Sequence, residues 1–188
     1  MTTEYWKRIS DAIALTQWDQ AGTSREANVA FREVVAMLDS LRGLNQKAMF
    51  VGNGGSAAIA GHMALDFSKA GRITAQAFND GALLTCLSND HSFEDAFAIG
   101  VEMFGRSGDI LIAISSSGNS QNILRAAQKA REKGCRVVTF SGFKPDNQLR
   151  FQGDYNVYVP AEEYGTVEVA HYAILHCMLD AIKGRFPV

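Results

Sequence analysis

From residue 46 onward, short apolar runs alternate with longer stretches of helical periodicity. The apolar runs predict strands over 47–51, 74–78, 109–114, 135–140 and 155–159. The amphipathic stretches predict helices over 56–70, 92–104, 119–133 and 166–183. Strand, helix, strand in that order implies an α/β fold with a parallel sheet covered on both faces. Two more helices are predicted ahead of the first strand, over 4–20 and 24–43. In the second, Ala27, Phe31, Val34, Val35, Leu38 and Leu41 recur at helical spacing. Thr23-Ser24 offers a start cap, with Glu26 in the first turn, and Gly43 offers an end. Both helices stand outside any strand–helix–strand unit, so they suit packing on the sheet or on a second subunit.

Two of the predicted strands run into short loops rich in glycine or serine. The first loop is Gly52-Asn53-Gly54-Gly55-Ser56-Ala57, and the second is Ser115-Ser116-Ser117-Gly118-Asn119-Ser120. A helix-like stretch follows each. The start of a helix presents unpaired N–H groups and a partial positive charge, which suits an anion. Ligands of parallel sheets bind at the carboxyl ends of the strands, where both loops fall. Together the loops point to a phosphorylated small molecule held by hydroxyls and backbone rather than by arginines. Gly52-Asn53-Gly54-Gly55-Ser56-Ala57 also fits a loose dinucleotide fingerprint. The acid expected about 20 residues on is missing, because the second strand ends later, in Asn79-Asp80. No G-x-x-x-x-G-K-[ST] motif supports a nucleoside triphosphatase.

Composition narrows the class. A chain of 188 residues fits one domain with a substantial core. Its net charge of −2 gives no electrostatic reason to expect nucleic acid or an anionic membrane. No apolar run is long enough to span a bilayer, and the first residues lack the apolar core of a signal peptide. Cys86, Cys135 and Cys177 show neither paired nor metal-type spacing, so they read as reduced thiols of a cytoplasmic protein.

Ionisable groups gather on two of the predicted helices. His62 and Asp66 stand at i and i+4, so they share one helix face directly after the glycine loop. Glu168 and His176 lie eight residues apart on the closing helix, a separation of about 80° and about 12 Å. A single site between these two needs both side chains to lean inward. His171 and His91 read as ordinary structural histidines.

The glycine loop together with Ile114-Ser115-Ser116-Ser117-Gly118-Asn119-Ser120 resembles the sugar isomerase (SIS) domain family. Within it the chain is similar to the bacterial phosphoheptose isomerases over nearly its whole length, including Ser88-Asn89-Asp90 and the closing helix. The resemblance implies a three-layer, flavodoxin-like SIS sandwich over 1–188, with residues 1–44 as a helical segment for association into a homotetramer. It implies conversion of sedoheptulose 7-phosphate to D-glycero-D-manno-heptose 7-phosphate through an enediol. Ser115, Ser117 and Ser120, helped by Ser116, would hold the phosphate. Asn53, Gly54, Gly55 and Ser56 would line the sugar, and Asn89 and Asp90 would touch its hydroxyls. His62, Asp66, Glu168 and His176 would be ligands of a zinc ion, with Asp66 or Glu168 as base and His176 as acid.

Three positions depart from the family pattern. Asp66 replaces a glutamate, Glu168 a glutamine, and Ile59 an acid. A base displaced by about 1 Å costs on the order of a hundredfold in rate. The altered acids keep two other readings open. One is a non-catalytic SIS protein similar to the DnaA initiator-associating protein, and the other is an isomerase of a different phosphosugar.

Overall fold

The computed structural model describes residues 2–186. The elements in chain order are α1 (Thr2–Ala14), β1 (Gln17–Gln20), β2 (Thr23–Arg25), α2 (Ala27–Asp39), β3 (Ala48–Gly52), α3 (Gly55–Lys69) and β4 (Ala75–Ala77). There follow α4 (Gly81–Asp90), α5 (Ala96–Phe104), β5 (Ile110–Ser115), α6 (Gln121–Glu132), β6 (Arg136–Ser141), β7 (Tyr155–Tyr158) and α7 (Tyr164–Ile182). The strands form one sheet in the order β2-β1-β7-β6-β5-β3-β4. From β7 to β4 every pairing is parallel, whereas β1 runs antiparallel to both β7 and β2.

Residue alternation along the strands makes this a three-layer molecule. Ile110, Ile112 and Ile114 of β5 face a core built with α2, α3 and α7. Leu111 and Ala113 face a second core built with α5 and α6. Both faces are therefore dry, which is why these strands read as unbroken apolar runs. The parallel α/β sandwich matches the expectation. Met1, Pro187 and Val188, the ends of the expected 1–188 unit, lie outside the described residues. Among the described residues no helix is long and apolar enough to cross a membrane.

The N-terminal segment differs most from expectation. The helix expected over 4–20 stops at Ala14, and residues 17–25 form a hairpin that extends the sheet. Trp18 is buried beside Val157, and Asp19, also buried, pairs with Arg150 at 2.7 Å. The two-residue turn Ala21-Gly22 has positive φ at both positions (48° and 79°). Asn-Gly and Asp-Gly are the usual signals of such a turn, and alanine in the first place hides it. Thr23 and Ser24 consequently lie in β2 and cap nothing. Glu26 is the cap of α2, accepting from Asn28 N–H and Val29 N–H at 3.0 and 2.8 Å. That helix ends at Ser40, ahead of Gly43. Its buried stripe is Ala30, Val34, Val35 and Leu38, while Ala27 and Phe31 line an apolar groove with α1 and α7. A further helix, α4, was not expected. Asp80 caps it by accepting from Ala82 N–H and Leu83 N–H at 3.0 and 3.1 Å.

Candidate active site

Two loops leave neighbouring parallel strands and form one cleft at their carboxyl ends. After β5 the chain turns through Gly118, whose φ of +63° favours glycine. The Gly118 N–H donates to the Ser115 carbonyl at 3.0 Å and meets the Ser115 hydroxyl at 3.2 Å. A β-carbon at Gly118 would collide with Asn147, a buried side chain that backs the loop. The Ser115 hydroxyl donates to Ser120 at 3.3 Å and lies 3.5 Å from Ser117. Ser120 is the N-cap of α6 but makes no side-chain capping bond. The first amides of α6 are thus left to a ligand. Ser116 is 4% exposed, and its hydroxyl has no partner among the described residues.

The glycine loop closes the other wall. Gly54, at φ +53°, precedes α3. Gly55 lies directly against the Glu168 carboxyl group, leaving no room for a β-carbon. Asn53 and Asn122 exchange reciprocal amide bonds of 2.9 and 3.0 Å, tying this loop to the start of α6. The cleft has a volume of about 320 Å³. Asn53, Gly54, Gly55, Ser56, Ser115, Ser116, Ser117, Ser120 and Glu168 all line it, with Ile114 and Tyr164. Among the described residues no basic side chain lines it, and Glu168 is its one carboxylate. Burial pushes the Glu168 carboxyl above its ordinary pKa.

Beside the cleft, α3 and α7 bring His62, Asp66 and His176 together. One donor atom from each lies within 4.8 Å of the others. His62 Nε2 is 3.1 Å from Asp66 Oδ2. The expected four-ligand set is thus divided. Glu168 precedes His176 by two helical turns and sits at the cleft against Gly55, outside the His62–Asp66–His176 group. Asn89 and Asp90 are also placed apart. They occupy the last turn of α4, are exposed, and bond to each other at 2.9 Å rather than lining the cleft. Sequence reading missed Asn122, Tyr164 and Tyr172. Tyr172 stands four residues from both Glu168 and His176, so helical spacing alone places it on their stripe.

His171 is completely buried on a different stripe of α7. Its Nε2 lies 3.0 Å from the Ser141 carbonyl, which can only accept, so Nε2 carries the proton, and Nδ1 has no partner among the described residues. Burial depresses its pKa from 6.5 to about 4. The folded pKa lies below the unfolded one, so protonation favours the unfolded chain. The stabilisation from neutral His171 is full above pH 6.5 and is lost as pH falls toward 4. The full loss amounts to about 3 kcal/mol. Denaturant titrations at pH 7.5 and pH 5 should show a smaller drop in stability for His171→Gln than for the wild type. Equal drops would contradict the burial of an uncharged ring.

A sequence profile of the SIS domain matches residues 24–142. The phosphoheptose isomerase of Clostridium acetobutylicum is 38% identical, with the match covering 74% of this chain and 74% of that protein. That of Escherichia coli O7:K1 is 35% identical, covering 81% of each. The structure of the Neisseria gonorrhoeae phosphoheptose isomerase superposes with a TM-score of 0.80 at 26% identity, over 97% of this chain and 95% of that one.

Proposed function

The chain belongs to the SIS domain family, and from that premise we propose that it is a phosphoheptose isomerase interconverting sedoheptulose 7-phosphate and D-glycero-D-manno-heptose 7-phosphate. The observation that carries this reading is the serine cleft. The four hydroxyls of the serine loop and the uncapped start of α6 converge there, with the buried Ser116 hydroxyl unpartnered among the described residues. A buried polar group calls for a partner, and a phosphate oxygen supplies one. Hydroxyls and amides can bind the dianion without a counter-charge.

Phosphate anchoring in the serine loop sets the distance from C7 to the reacting carbons. Asn53, Gly54, Gly55 and Ser56 line the path of the sugar, and the reacting end then lies between Glu168 and the His62–Asp66–His176 group. In the ketose-to-aldose direction, Glu168 takes a proton from C1, and the electron pair of that bond forms the C1=C2 double bond of an enediol as the C2=O π pair moves onto O2, which His176 protonates. His176 then takes the O1 proton, the C1=O bond forms, and the C1=C2 pair takes the proton back from Glu168 at C2. Glu168 suits the base role better than Asp66. It faces the cleft, where burial raises its pKa above the ordinary value, whereas Asp66 is engaged by His62.

Two imidazoles and a carboxylate within 4.8 Å fit a divalent cation such as zinc, which His62, Asp66 and one nitrogen of His176 would hold, leaving the other His176 nitrogen to serve the proton transfer. A cation held there would supply Lewis-acid polarisation of the substrate's carbonyl and hydroxyl oxygens. Further expectations belong to the same reading. The chain is one SIS domain in the cytoplasm. Copies associate as a homotetramer through residues 1–44 and the apolar groove lined by Ile13, Trp18, Phe31 and Ile174.

Ser117→Ala tests the phosphate site. Loss of one hydroxyl bond to a charged oxygen should raise KM about 10- to 100-fold, since such bonds are worth about 1.5–3 kcal/mol. The kcat should change less. An unchanged KM and unchanged affinity for inorganic phosphate would contradict the assignment of the loop.

A further inference from the structure

One feature of the α3–α7 seam belongs to none of these roles. The Tyr172 ring stands edge-on to His62, with centroids 5.4 Å apart and planes at 89°. It also stands 4.6 Å from His176, at 68°. The two imidazoles are 5.7 Å from each other, so the three rings form a closed triangle. On α7 the tyrosine is half-buried and lies one turn from Glu168 on one side and one turn from His176 on the other.

The way His176 is held makes this triangle consequential. The terminal torsion of a histidine is broad and does not orient the ring by itself. Functional histidines usually have their second nitrogen fixed by a carboxylate or a carbonyl. Among the described residues His176 has no such hydrogen bond, and the only bond to the His62 ring is the one with Asp66. That bond already turns His62 toward Asp66; for His176, packing against the Tyr172 and His62 rings is the remaining constraint among the described residues.

We propose that Tyr172 is a positioning residue: its ring, not its hydroxyl, sets the orientation of His176 against the Asp66-bonded His62 so that a His176 nitrogen converges with the Asp66 carboxylate. This inference rests on the isomerase reading for its effect on turnover, but not for its effect on the donor group itself. The ring is needed because its faces and edges supply the directional contacts that an aliphatic side chain lacks.

The test compares wild type, Tyr172→Phe, Tyr172→Leu and Tyr172→Met by turnover of sedoheptulose 7-phosphate and by calorimetric titration with Zn²⁺ alone. Thermal melting identifies any variant that fails to fold, and methionine provides a second aliphatic replacement if leucine does so. Loss of the ring should lower kcat about 10- to 100-fold and weaken Zn²⁺ binding about tenfold, the range seen for groups that orient ligating histidines. KM should stay within about twofold, because the phosphate loop is untouched. Tyr172→Phe should stay within about twofold of wild type in both readouts. Leucine or methionine variants matching wild type in both readouts would overturn the proposal. So would a phenylalanine variant as impaired as leucine, which would make the hydroxyl the acting group. Absence of wild-type turnover alone defeats the isomerase reading and leaves Zn²⁺ binding to judge Tyr172. Absence of both defeats both.

Discussion

Changing His176 to alanine should lower kcat by about 10³-fold or more while the protein keeps its fold and its affinity for the phosphate ester. The general acid that serves O1 and O2 is worth about 10²–10⁴ in rate. The same imidazole is one of three donors gathered within 4.8 Å, so its removal also opens that group. The ring is only partly buried and makes no hydrogen bond to the rest of the described chain, which keeps the structural cost small. Steady-state kinetics with a melting curve separate the two effects. Near-normal turnover would remove His176 from the mechanism.

Gly55→Ala should be nearly as damaging, although it removes no functional group. A β-carbon there would overlap both oxygens of Glu168. The carboxyl group is the far end of a flexible side chain, so it swings aside and the fold survives. A base displaced by about 1 Å costs on the order of a hundredfold in rate. The effect should appear in kcat, with melting temperature little changed. A double-mutant cycle checks the route of the effect: once Glu168 is glutamine, Gly55→Ala should add almost nothing. Fully additive losses would mean that Gly55 acts on something other than Glu168.

The parts of the site that the chain advertises are those made by local rules. Both loops follow apolar parallel strands, so their meeting at one end of the sheet is a consequence of strand order. The i, i+4 relation of His62 and Asp66 likewise survives intact in the 3.1 Å contact between them. What stayed hidden depends on contacts across the fold. The Asn53–Asn122 amide pair joins residues 69 apart. Glu168 could be drawn toward His176 on a helical projection, yet the close approach of Gly55 assigns it to the cleft instead. The resemblance puts Asn89 and Asp90 on the sugar hydroxyls, whereas Asp80 starts α4, whose last turn holds both residues outside the cleft lining. The first hairpin was masked by Ala21, where asparagine or aspartate would have announced a tight turn.

The most direct test of the account is to incubate the Zn²⁺-supplemented protein with sedoheptulose 7-phosphate in D₂O and follow the aldose by NMR. The account predicts D-glycero-D-manno-heptose 7-phosphate carrying deuterium at C2, formed by the wild type and reduced at least a hundredfold by Glu168→Gln. Tight binding of the sugar phosphate with no aldose formed, or turnover unaffected by Glu168→Gln, would contradict it.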